Sequence, residues 1–343
     1  MILGDRMKKL KNGFLKIIRE EYKFLLFLFL LYFILQIPLN YYIITGGGIS
    51  DVSSRIEVEE KYKGKGSFNI SYVTELQKAN LIGYLLSYLI PTWEREDADL
   101  YKYTTNESLE DIQFRSELDL KAANSTAIYW AYTLAEREVE ESSSNLYVIS
   151  TSDMENPFKV GDEILSIDGK SYETVSEYSN YLQKKEEGDT VVVKVLRNNK
   201  EKDLSATLYS YEDRLILGVT LEFVRNYETN PKVNIQFKKT ESGPSGGLIT
   251  TLEIYNQLTK KDLTHGLKIA GTGTIEEDGS IGQIGGIEHK LLGAADAKAD
   301  IFLCPSGKNC EDALQYKKEK KLKIKILEVK TIEDAILQLE ELA

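Results

Sequence analysis

Only two histidines and two cysteines occur among the 343 residues of this chain. Cys304 and Cys310 lie close together, but His265 and His289 stand apart from them, so no second Cys/His pair completes a tetrahedral zinc site. The same scarcity excludes a disulfide framework, leaving two packed thiols or one local disulfide. No stretch matches G-x-x-x-x-G-K-[ST], which excludes a P-loop nucleotide site within these residues. An excess of positive charge is missing too. Net charge is −11, and residues 1–23 carry seven Lys/Arg against three Asp/Glu, a net of +4 that leaves −15 for the rest. An acidic body of that kind argues against nucleic-acid binding. No metal or cofactor is expected.

What the chain does contain begins with a basic tail over residues 1–23, bearing Lys8, Lys9, Lys11, Lys16 and Arg19. The run FLLFLFLLYFILQIPLNYYII follows, Phe24 to Ile44, long enough as a helix to cross a bilayer core of about 30 Å. A transmembrane signal anchor over 24–45 is therefore expected, with Tyr41 and Tyr42 at the far interface. Cationic residues before the span and an acidic body after it place the N-terminus in the cytoplasm and the body outside. Gly46-Gly47-Gly48 then releases the chain into a juxtamembrane region, 46–140, containing a strand at Ser67–Val73, an apolar helix or strand at Leu81–Leu89 and a mainly helical stretch from Leu109 to Val139.

Ser142–Asn145 is a polar break. Beyond it LYVIS, FKVGDEILSIDGKSY, SEYSNYLQKK and EGDTVVVKVLRNNKEKDLSATL read as strand, GD turn, strand, helix and two strands. From Leu215, LILGVTLEFV and KVNIQF read as strands leading into GPSGG, in which Ser245 precedes Leu248, Leu252, Tyr255 and Leu258, one apolar helical face. A serine at a helix start lies among outward-pointing N–H groups that could hold an oxyanion. Taken alone, such a loop is more often a turn with a capping serine. Lys290 lies in GGIEHKLLGAA, among aliphatic and small residues whose burial would depress its pKa from about 10.4 toward about 7 to 8. Ser245 as nucleophile with Lys290 as base is a Ser-Lys variant of triad chemistry. His289 is the rival base, but its side chain points about 100° away from that of Lys290, so it is assigned to the surface. Strands alternate with helices to the end, with Thr331 able to cap the last helix.

GPSGG and TGTIEEDGSIGQIGGIEHKLLGA together resemble, in order and spacing, the serine and lysine motifs of the Lon proteolytic domain. The resemblance implies a Ser245-Lys290 dyad, Thr272 orienting the lysine amine, and Gly243 and Gly246 in supporting positions. One departure stands out. ATP-dependent Lon enzymes usually carry an acidic residue three before the serine, where this chain has Ser242, with Glu241 one step earlier. Val160-Gly161-Asp162 followed by Ile164, Ile167, Asp168 and Gly169 resembles a bacterial protease-type PDZ domain, which takes an extended peptide along an edge strand. Leu146, Tyr147, Val148 and Ile149 would form that edge, with the carboxylate loop near Ser142–Asn145.

The whole resembles bacterial membrane-anchored PDZ-Lon proteases: an α/β (α+β) architecture with a PDZ domain over 141–212 and a Lon-type proteolytic domain over 213–343. The function implied is an ATP-independent serine endopeptidase, held in the cell membrane by one helix, that cleaves extended or unfolded polypeptides presented by its PDZ domain. A homo-oligomer is among the resemblance's implications. Two other classes stay open, a catalytically silent PDZ scaffold and a Ser-Lys amidohydrolase acting on a small molecule.

Overall fold

The computed structural model describes Ile2 to Leu342 apart from Glu60, Lys63, Lys78, Lys239 and Lys260, with the side chains of residues 2–18 outside the description. The chain opens with α1 (Ile2–Leu35), β1 (Tyr41–Asp51), β2 (Ile56–Val58), β3 (Ser67–Leu76), α2 (Leu81–Leu86), β4 (Glu94–Asp97) and α3 (Leu109–Leu134). Next come β5 (Glu138–Thr151), β6 (Glu163–Ile167), α4 (Val175–Leu182), β7 (Thr190–Arg197), β8 (Lys200–Thr207), β9 (Tyr209–Tyr211), β10 (Arg214–Ile216) and β11 (Val219–Asn230). It closes with β12 (Val233–Ile235), α5 (Gly247–Leu258), β13 (Lys268–Gly271), β14 (Thr274–Ile275), β15 (Ile281–Gly282), α6 (Ile287–Asp296), β16 (Ile301–Pro305), α7 (Lys308–Lys320), β17 (Lys325–Val329) and α8 (Ile332–Glu340). These elements divide into two units, one of Met1–Thr45 and Thr74–Leu100, the other of Gly46–Val73 and Tyr101–Ala343.

In the first unit the expected span Phe24–Ile44 is not one helix. α1 kinks at Glu21 and stops at Leu35. Pro38, which has no N–H to extend a helix, bridges Asn80, and Tyr41–Ile44 continue as a strand paired with β4. Tyr42, Ile43 and Ile44 are buried there. From Tyr22 to Leu35 the helix rises about 21 Å at about 1.5 Å per residue, short of a bilayer core of about 30 Å. No helix among the described residues is long and apolar enough to cross a membrane. Phe24 to Leu30, Tyr32, Phe33 and Ile34 are nonetheless all exposed. Lys8, Lys9, Lys11 and Lys16 lie outside the described side chains.

The second unit holds a sheet in the order β17-β16-β13-β3-β1, with β17, β16, β13 and β3 mutually parallel. Because successive side chains of a strand face opposite ways, Ile269, Ile301 and Leu303 pack against α5 and α8, whereas Ala270, Phe302 and Cys304 pack against α6 and α7. This is the α/β layering expected from the alternating pattern. Thr331 caps α8 by accepting the Asp334 N–H. Cys304 and Cys310 are free and buried, so the packed-thiol reading holds.

Gly46-Gly47-Gly48 does not release the chain into a linker; it lies inside β1. The reason is a helix from the far end of the sequence. A Cβ on Gly47 would come within 2.2 Å of the His289 carbonyl oxygen, and one on Gly293 within 2.5 Å of the Gly47 and Gly48 backbone. Bare backbone on both sides lets α6 lie directly on the strand.

The PDZ-like part forms its own sheet, in the order β11-β5-β6-β7-β8, around Val148, Ile164, Ile167, Tyr178, Val193 and Leu208. Ser142–Asn145 does not break it, since β5 runs unbroken from Glu138 to Thr151.

Every residue of α5 is buried, and Glu253 is the exceptional one, 5% exposed with its Oε1 accepting from Gln257 Nε2 at 2.6 Å. Burial pushes its pKa up to about 7 from the usual 4.5. A carboxyl raised on folding binds its proton more tightly in the native state, so stability falls as pH climbs from about 4.5 to about 7 and the full cost persists above that. Glu253→Gln should therefore stabilise the protein by about 1–3 kcal/mol at pH 8 and by almost nothing near pH 5. Thermal melts at the two values test this, and an equal shift at both would show that charge burial is not the cause.

Candidate active site

Two loops converge on one point. The first precedes α5: Gly243, at φ +82°, donates its N–H to Ser116 O at 2.8 Å, and Gly246 is the N-cap, with Ser245 just before it. A Cβ on Gly246 would stand 2.8 Å from Ile70 Cδ1, so the serine turn is held tightly against β3. The second loop follows β13. Thr272 Oγ1 and Gly273 N–H both donate to the Ser245 carbonyl, at 3.1 and 2.8 Å. Gly273 O in turn accepts the Leu248 N–H at 3.1 Å, which fixes the serine turn to the sheet.

Lys290 arrives from α6, whose N-cap Gly286 sits at φ +67°, a left-handed conformation that suits glycine. Lys290 Nζ lies 3.0 Å from Ser245 Oγ and 3.3 Å from Thr272 Oγ1. Lys290 is 4% exposed and Thr272 fully buried. A neutral amine so placed can accept the serine proton, while the threonine hydroxyl fixes its direction. Ser245, Lys290, Thr272, Gly243 and Gly246 are thus brought to one place, as the motifs suggested.

One other expectation changes. His289 is buried rather than at the surface, because α6 lies flat on the glycines of β1. Glu241, the acidic residue nearest the serine motif, pairs with Arg55 and accepts the Lys238 N–H at 3.0 Å. It is occupied in holding the loop.

The peptide-binding edge proves different as well. Leu146, Tyr147, Val148 and Ile149 were expected to receive an incoming strand, yet β5 already has neighbours on both sides. Leu146 and Tyr147 pair with Ile164 and Glu163 of β6 on one side. On the other, antiparallel β11 places Phe223 opposite Leu146, Glu222 opposite Tyr147 and Leu221 opposite Val148. Val219, Leu221 and Phe223 pack against the core that contains Tyr178 and Leu182 of α4. The chain's own β11 fills the position of the expected peptide. Alternation correctly marked β11 as a strand; nothing local could name its partner, which lies some 70 residues earlier.

Comparison with known proteins agrees with this division. Residues 138–208 match the PDZ domain family, and residues 235–340 match the Lon protease (S16) C-terminal proteolytic domain. The Lon protease of Campylobacter concisus (strain 13826) is 27% identical over 176 residues, which is 51% of this chain and 22% of that protein. This chain therefore spans about a fifth of that relative's length. Among solved structures, the PDZ domain of an SdrC-like protein from Listeria monocytogenes is 25% identical, covering 24% of this chain and 92% of its own, with a TM-score of 0.23. That of the Listeria innocua SdrC-like protein is 29% identical, covering 22% and 92%, with a TM-score of 0.21. The chain thus carries a PDZ domain followed by a Lon-type C-terminal proteolytic domain.

Proposed function

We propose that this chain is an ATP-independent serine endopeptidase that cleaves polypeptides with a Ser245-Lys290 dyad. The observation that carries the reading is the placement of Lys290 Nζ at 3.0 Å from Ser245 Oγ, with Lys290 and Thr272 both buried. Lys290 takes the hydroxyl proton as Ser245 Oγ attacks the peptide carbonyl carbon, and returns it to the leaving amine as the C–N bond breaks. An ester on Ser245 remains. Water, deprotonated by the same amine, then attacks the ester and frees the serine.

The N–H groups of Ser245 and Gly246, which make no hydrogen bond among the described residues, supply the oxyanion site. Independence from ATP rests on the absence of a P-loop from these 343 residues. Attachment to a membrane rests on α1, apolar from Phe24 to Ile34 and exposed there at every residue but Leu31. A silent PDZ scaffold is disfavoured because the groove such a scaffold needs is filled by β11.

Casein cleavage by the full chain in detergent tests the reading. Ser245→Ala should lower the rate at least about 10³-fold, to the uncatalysed background. ATP with magnesium should leave the wild-type rate unchanged. Cleavage that survives Ser245→Ala would remove the nucleophile assignment, and stimulation by ATP would remove nucleotide independence.

A further inference from the structure

If β11 occupies the expected peptide groove, a substrate must be received elsewhere. β11 is the outermost strand of its sheet, and beside Leu221–Phe223 lies a cavity of about 530 Å³. Its other walls are α3, the start of α4, and the two loops of the active site, represented by Pro244 and Thr274. Pro244 immediately precedes the nucleophile. Thr274 follows Thr272 by two residues.

The lining is unbalanced in charge. Asp119, Glu222, Glu276 and Glu277 face the cavity with one cation, Arg225, which pairs with Glu277 and Glu141. Glu276 is engaged by the Thr274 hydroxyl at 2.5 Å. Asp119 and Glu222, on α3 and β11, make no ion pair among the described residues; the Asp119 charge acts against that of Glu222, while Asp119 itself feels Arg115, whose guanidinium pairs with Glu107. Two half-buried carboxylates brought together with no cation paired to either carry a desolvation and repulsion cost that a positive group between them would relieve. Burial and Asp119 already push the Glu222 carboxyl up to about 7.

We propose that this cavity is the substrate cleft, and that it receives an extended polypeptide beside β11 with a lysine or arginine side chain seated between Asp119 and Glu222. The inference rests on the peptidase reading above and adds the substrate class. An open sheet edge supplies backbone pairing, the carboxylates supply charge complementarity, and the position of Pro244 brings the next peptide bonds to Ser245.

The test separates binding from chemistry. Fluorescein-labelled decapeptides carrying one lysine, each matched by its N-acetyllysine twin, are titrated against the full-length Ser245→Ala protein in detergent and followed by anisotropy. The expected result is at least about tenfold tighter binding of the lysine form in the best-bound pair, with the difference abolished in an added Asp119→Asn/Glu222→Gln double substitution. These amides keep side-chain shape while removing charge, and a thermal melt checks that the fold is retained. Charge reversal by Glu222→Lys should turn the preference toward a glutamate-containing peptide. Equal binding of both twins, or a lysine preference untouched by the amide changes, overturns the proposal. Because binding is read on a protein without its nucleophile, failure here is distinct from failure of the wild type to cleave.

Discussion

Lys290→Arg is expected to reduce casein turnover at least about 10³-fold, because the guanidinium stays charged at any accessible pH and cannot take the Ser245 proton. Arginine is also bulkier than the 4%-exposed site allows, so Lys290→Met serves as the shape-matched control: similar length, no amine, and the same expected loss. His289→Ala should keep most of the turnover per folded molecule, since the hydroxyl of Ser245 is met by Lys290 and not by its neighbour. A reversed outcome, with His289→Ala inactive and Lys290→Met active, would replace the Ser-Lys site by a Ser-His one.

Nearly as large an effect is expected far from any reacting atom. Gly293→Ala adds one methyl group to α6 where only 2.5 Å separates it from the backbone of Gly47 and Gly48. The strand cannot retreat without disturbing β3, so the helix must lift, and overpacking of this kind costs about 1–3 kcal/mol. Activity should fall further than stability, by about 10²-fold, because a lift of about 1 Å moves the Lys290 amine off the serine hydroxyl. Gly285→Ala is the control, since a Cβ there meets nothing within 4 Å. Thermal melts and peptide cleavage on the two variants decide the matter; wild-type turnover in Gly293→Ala would mean that α6 tolerates displacement.

Those glycines also show where sequence reading reaches its limit. The meeting of Ser245 and Lys290 was legible because each lies in a short segment whose own residues shape it: glycines turn the chain at 243–247 and again at 285–286, and a helix follows each time. The last helix was legible for the same reason, with Thr331 as a local cap. Gly46-Gly47-Gly48 was not, since a strand without side chains gives no alternation, and its role is dictated by a helix more than 200 residues later. The apolar run after Lys23 shows the converse. Composition alone extends it to Ile44, but Pro38 and the pairing of Tyr41–Ile44 with β4 divide it. The β11 strand was recognised as a strand and assigned to the wrong sheet, because register and partner are settled by packing across the fold.

The pairing of Ser67–Ile70 with Lys268–Gly271 has a consequence in time. On the ribosome, at about 5–20 residues per second, β3 emerges about 10–40 s before the strand that flanks it. The PDZ sheet, all of whose strands lie between Glu138 and Asn230, can close during that interval. The lysine of α6 is made later still. Until α6 has been made, a nascent chain therefore cannot bring Lys290 to Ser245, and the proposed chemistry on itself or its neighbours has to wait for that helix.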